Sequence, residues 1–146
     1  MADNSQASPG NPMKIGVVTA TDPAAVKCRV QFDDHDGMES YWLPVLHHKT
    51  HQDKSYWLPD VGEHVCVLMD DNAEFGVIIG AIYSEADAPP VISLDKHHTR
   101  YQDGTWIEYD RATHQLTVHC TGDILVVSET RIILQAPRID LNPGGA

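Results

Sequence analysis

From Leu116 onward the apolar residues come in pairs that repeat every eight positions: Leu116 and Val118, Ile124 and Val126, Ile132 and Leu134. After Pro137 the series slips by one residue to Ile139 and Leu141, and upstream Ile107 and Tyr109 precede the first pair by nine. Gly122, Asp123, Ser128, Glu129, Thr130 and Arg131 fall between the pairs, where a chain would turn a corner. A fixed short period of strand and corner predicts a β-solenoid or an intertwined β-prism, with each repeat supplying one rung. One chain gives too little wall to enclose a core. Three chains winding round one axis would triple the inward side chains of every layer. Each fully buried Val, Leu or Ile contributes about 1.5–3 kcal/mol, which sets the layers against the entropy of ordering the tail. The missing partner strands are therefore expected to be copies of the same chain. Ordinary hairpin strands fit less well, because TGDILVVSETRIILQ has no Asn-Gly or similar turn between ILVV and RIIL, and Glu129-Thr130 is a poor hairpin apex.

The 146 residues allow one domain, or a small domain with an appendage. The first dozen, MADNSQASPGNP, lack the basic start and apolar stretch of a signal peptide, so residues 1–13 are expected to be a flexible arm. No apolar run is long enough to span a bilayer as a helix. From Lys14 the pattern is strand and turn: KIGVVTAT, VKCRVQFDD closed by DHDG, MESYWLPVL, then YWLPDVGEHVCVLMDD and EFGVIIGAIYS around DDNAE. No amphipathic helix is evident. Five short antiparallel strands in that length suit a small barrel that hides its edges, and the expected fold is an OB-like barrel over 14–85. Residues 86–99, marked by Pro89 and Pro90, read as a connector, and 100–146 as the trimeric needle. The fold class is thus all-β, an N-terminal OB-like barrel followed by a C-terminal trimeric intertwined β-helix. Tyr41-Trp42-Leu43-Pro44 recurs as Tyr56-Trp57-Leu58-Pro59. Such aromatics could form a sugar-stacking face, but two strands sending Trp into a barrel core or an interface explain them more simply.

Net charge is −11, and residues 1–99 carry fifteen of the 21 acidic residues against six of the ten Lys and Arg. An acidic surface without a basic cluster repels phosphate backbones, so no nucleic-acid binding is expected. Cys28, Cys66 and Cys120 are odd in number and widely spaced, which fits free thiols in a reducing compartment better than a disulfide framework or a zinc site. His47, His48 and His51, or His97 and His98, lack a companion carboxylate or thiol at ligand spacing, and solvated loop histidines are the expectation, with no metal and no cofactor. Asp33-Asp34 and Asp70-Asp71 read as turn acids, and no nucleophile has a motif-level base, so the chain is not expected to be an enzyme.

Tyr56-Trp57-Leu58-Pro59-Asp60-Val61-Gly62-Glu63-His64-Val65, then Gly76-Val77-Ile78-Ile79-Gly80-Ala81-Ile82-Tyr83-Ser84, then Asp103-Gly104-Thr105-Trp106-Ile107-Glu108-Tyr109-Asp110, leading into the octads, resemble baseplate assembly protein V, the central spike of contractile phage tails, related to type VI secretion spikes. The resemblance covers about residues 14 to 142. It implies a virion protein, assembled in the host cytoplasm: a homotrimer with barrels toward the tail tube and hub and a needle that transmits contraction force to the host outer membrane. The trimer core would be Leu116, Val118, Ile124, Val126, Ile132, Leu134, Ile139 and Leu141. Some relatives insert a lysozyme domain, for which the connector leaves no room. Others close the needle with an iron-binding His-x-His motif, and no histidine follows His119 here. Asn142, Pro143, Gly144, Gly145 and Ala146 bring no bulky apolar side chain to plug a three-fold axis, so they are expected to dock a separate tip protein similar to the PAAR-repeat cones; the alternative is an end closed by its own Pro-Gly-Gly turns. The rival reading is a trimeric OB-type module binding envelope glycan through Trp42 and Trp57.

Overall fold

Alternation fixes the first strands. In KCRVQF, Cys28, Val30 and Phe32 are buried while Lys27, Arg29 and Gln31 are not, the period-two pattern of a strand with one face on a core. The computed structural model of the protein describes residues 10–33, 36–142 and 144. Within them lie eight strands: β1 (Met13–Asp22), β2 (Lys27–Phe32), β3 (Leu43–Pro44), β4 (His64–Met69), β5 (Gly76–Ala81), β6 (Lys96–Arg100), β7 (Trp106–Asp110) and β8 (Gln115–His119). The chain divides into two compact units, Met1–Pro89 and Pro90–Ala146.

The first unit is a five-stranded sheet in the order β3-β2-β1-β4-β5, antiparallel at each pairing. It is nearly closed: Val45 bridges Ile78, and the Leu46 N–H donates to the Ile78 carbonyl at 2.9 Å. β1 serves two neighbours, β4 along Met13–Val17 and β2 along Gly16–Asp22, with a slip of register between Val18 and Ala20 that bends the strand round the barrel. Val18, Cys28, Val30, Phe32, Leu43, Val65, Val67, Met69 and Ile78 form the core. The all-β class and the barrel thus match the expectation. The Pro12 carbonyl already accepts from Met69 N–H at 2.7 Å and Met13 opens β1, so the segment expected to be an arm is tied to the barrel at its end. Residues 1–9 of that arm lie outside the described residues.

The tryptophans do not enter the barrel core, one of the two places expected for them; an interface is the other. Trp42 is 43% and Trp57 67% exposed, whereas Leu43 is buried and Leu58 packs against the core. Neighbours on an extended chain face opposite ways, so Trp and Leu cannot both enter, and the smaller side chain fits a narrow barrel.

The second unit is the antiparallel sheet β6-β7-β8 followed by an extended tail. Two features depart from expectation. The connector ends in a strand, β6, from Lys96 onward. Leu116 and Val118 have a partner strand in their own chain, since β8 folds back on β7 with Leu116 opposite Tyr109 and Val118 opposite Ile107. The hairpin is built without Asn-Gly: Asp110 Oδ1 accepts from Ala112 N–H at 2.9 Å, and His114 takes the left-handed conformation at φ 57°.

Candidate functional site

Cross-strand pairs share a face, so the register sorts the small sheet into two sides. One side carries His97 and Thr99 from β6, Ile107 and Tyr109 from β7, and Leu116 and Val118 from β8. Ile107, Tyr109, Leu116 and Val118 are 40–67% exposed, an open apolar face.

The other side is polar and packed on itself. The Trp106 ring lies between His98 and His119, with both ring centroids 5.6 Å away and the planes within about 20°. His98 Nδ1 stands 3.0 Å from Glu108 Oε1, and Lys96 Nζ approaches the same oxygen at 3.5 Å. His98 is therefore a half-buried strand residue with partners, and not a solvated loop histidine. His47 is likewise engaged: its Nδ1–H donates to the Val45 carbonyl at 2.9 Å, its Nε2 accepts from Trp57 N–H at 3.2 Å, and its ring stacks on Tyr56. His48, His51 and His97 are exposed. Among the described residues no three His, Cys, Asp or Glu are grouped to hold a metal ion.

The tail springs from a fixed point. Gly104 at φ 91° closes the β6–β7 turn, and Asp103 accepts from Thr105 N–H at 2.8 Å and from the Thr121 hydroxyl at 3.1 Å. The Thr105 main-chain and hydroxyl contacts, with Thr121 behind them, hold the Asp103 carboxyl below its ordinary value. Beyond Thr121 every described residue is exposed, and no main-chain hydrogen bond joins two described residues within 121–142. Ile124 (62%), Val126 (67%), Ile132 (50%), Leu134 (71%), Ile139 (51%) and Leu141 (83%) all lie open. The corner expected between the second and third pairs is formed, with Ser128 Oγ accepting from the N–H groups of Thr130 and Arg131 at 3.3 and 3.1 Å. Pro143, Gly145 and Ala146, three of the five expected tip-docking residues, lie outside the described residues; Asn142 is exposed.

The remaining described sequence candidates lie at turns, in the barrel strands and just past β8. Asp70 Oδ1 caps its turn by accepting from Glu74 and Phe75 N–H at 2.9 and 3.2 Å. Asp34 lies outside the described residues. The three cysteines are free, Cys28 and Cys66 buried and Cys120 partly so. Burial, and then the nearby Glu63 carboxylate, raise the Cys28 thiol above its ordinary value and keep it protonated at neutral pH. What the sequence reading did not single out is the His98–Trp106–His119 stack; its signal was the histidine spacing read against the strand register, which needs the hairpin.

Comparison with known proteins places the nearly closed five-stranded barrel in a family. Residues 14–83 match the type VI secretion system/phage-baseplate injector OB domain. The chain belongs to the phage baseplate spike family. It is 31% identical over 145 residues to the spike protein of Escherichia phage P2, a match spanning 88% of this chain and 67% of that protein.

Proposed function

We propose that this protein is the trimeric central spike of a contractile tail baseplate, linking tube and hub to the tip and transmitting contraction force to the host outer membrane. One observation carries the reading: among the described residues of 90–142 not one apolar side chain is buried, although the segment holds Ile107, Leu116, Val118, ILVV and RIIL. A chain that leaves so much apolar surface and so many main-chain groups unpaired is completed by other chains. The eight-residue period makes copies of itself the natural complement. In this reading Leu116, Val118, Ile124, Val126, Ile132, Leu134, Ile139 and Leu141 line a three-fold interior, residues 139–146 are covered by a separate small tip protein, and the needle meets the outer membrane only transiently. Rigidity is the useful property, and no catalytic group, metal or cofactor is needed. The mass of the protein in solution tests it: a trimer at micromolar concentration is expected, and a monomer there would remove the foundation.

The exposed Trp57 favours a second reading, a trimeric module that binds envelope glycan. Quenching of tryptophan fluorescence by lipopolysaccharide-derived oligosaccharide separates the two, since the spike reading expects none.

A further inference from the structure

The two stretches that carry the family resemblance in the barrel meet at one place. In Pro59–Glu63 the Glu63 N–H donates to the Asp60 carbonyl at 3.1 Å across a turn whose third residue, Gly62, has φ 95°, the geometry of a type II turn. The turn is stiff: Glu63 Oε2 accepts from Asp60 N–H at 2.9 Å, Gly62 N–H donates to the Val18 carbonyl at 2.8 Å, and Val18 N–H donates to the Glu63 carbonyl at 3.0 Å. Its apex holds Val61 out at 62% exposure. Beside it runs the end of β5 and its continuation, anchored by Ile82 N–H on the His64 carbonyl at 2.9 Å.

Between them lie two adjoining cavities with a common wall of Asp60, Glu63 and Ala81. One, of about 600 Å³, is bounded by Val61, His64, Ile82, Tyr83 and Asp87. The other, of about 280 Å³, is bounded by Leu46, Trp57, Leu58, Ile78 and Gly80. Together they make a groove on either side of that wall, with apolar sides (Leu46, Trp57, Val61, Ile82 and Tyr83 are 40–67% exposed) and carboxylates along it, and among the described residues no Lys or Arg lines either cavity.

We propose that this groove docks a segment of a different baseplate polypeptide that presents Lys or Arg beside apolar side chains. Charge selects the occupant. Asp60, Glu63 and Asp87 favour a cationic partner, and desolvation in an apolar groove strengthens that preference. A second copy of this barrel is a poor fit, because residues 1–99 bring fifteen carboxylates against six basic groups and would set like charge against like. The proposal rests on the chain being a baseplate component, and is independent of how many copies make the spike.

The test uses full-length protein in assembled tails. With a photo-crosslinking amino acid at position 83, the expected product joins this chain to another polypeptide at a peptide containing Lys or Arg. Cross-links confined to copies of this chain, to peptides without a basic residue, or absent from assembled tails would overturn the proposal. Reversing the exposed charges, Asp60→Lys with Asp87→Lys, is expected to lower incorporation into tails by about tenfold or more. Asp87→Asn alone should give a smaller loss. Normal incorporation of the doubly reversed chain would also overturn it. The solution mass of the same variants keeps the two questions apart: a monomeric chain that still cross-links to a basic peptide sinks the trimeric spike and leaves the groove standing.

Discussion

Gly16 stands where β1 is paired on both sides, and a Cβ there would meet the Gln31 carbonyl oxygen and Val30 Cγ1. Gly16→Ala is therefore expected to destabilise the barrel by about 1–3 kcal/mol. The readout is a lower urea midpoint with an unchanged slope, and an unmoved midpoint would mean that β2 gives way freely. Asp103 makes a prediction with a sign. Its folded value lies below the unfolded one, so its contribution is in place above the unfolded value and is lost as pH falls through the folded value. The amide resonance of Thr105, which donates to Asp103 Oδ1, should titrate with a midpoint below the ordinary aspartate range of about 3.9. In Asp103→Asn that titration should vanish; a midpoint at the ordinary value would show that the contact contributes nothing. At this scale the sequence was legible where alternation is strict, as in Cys28, Val30 and Phe32. It was ambiguous in Tyr-Trp-Leu-Pro, where three apolar residues in a row leave period two without a phase, and only the room inside the barrel decides that Leu43 enters and Trp42 does not.

Strands announce themselves by pattern, and their partners by turn chemistry. β1, β2, β4 and β5 could be read directly, whereas β3 is only Leu43–Pro44, too short for alternation to show. The β7–β8 hairpin was hidden because its left-handed residue is His114, where glycine or asparagine would have signalled it. That hairpin alters the meaning of the first octad pair: Leu116 and Val118 extend an apolar face begun by Ile107 and Tyr109, while the pairs from Ile124 onward have no strand beside them among the described residues. A contrast between positions tests the period itself. Val126→Asp in a three-fold interior would bring three carboxylates into one dry layer, at several kcal/mol each unless they protonate, and assembly should fail near neutral pH. Thr130→Asp, in the corner held by Ser128, should assemble as the parent does. Equal behaviour of the two variants in light scattering would show that the octad does not define an inside.

The two units differ in how much apolar surface they bury among the described residues. Among the described residues the first encloses a core cluster of nine buried apolar side chains and nearly closes its own sheet, so residues 10–89 alone are expected to fold cooperatively and to run as a monomer. The second has strands, turns and a fixed starting point for the tail at Thr121, yet none of its described apolar side chains is buried. If self-association lies there, a chain ended after Thr121 keeps all eight strands and the face of Ile107, Tyr109, Leu116 and Val118 but loses every later octad pair. Its mass should fall from three chains toward one as it is diluted through the micromolar range, whereas the full chain stays trimeric, because the interior lost with Ile124, Val126, Ile132, Leu134, Ile139 and Leu141 is most of what the copies would share. Urea should then dissociate and unfold the full chain in a protein-concentration-dependent transition, since a subunit that folds only with its copies is stabilised by mass action, while the barrel alone melts at a midpoint independent of concentration. A truncated chain as firmly trimeric as the full one would place association in the small sheet or the barrel, and the eight-residue period would then need a different explanation.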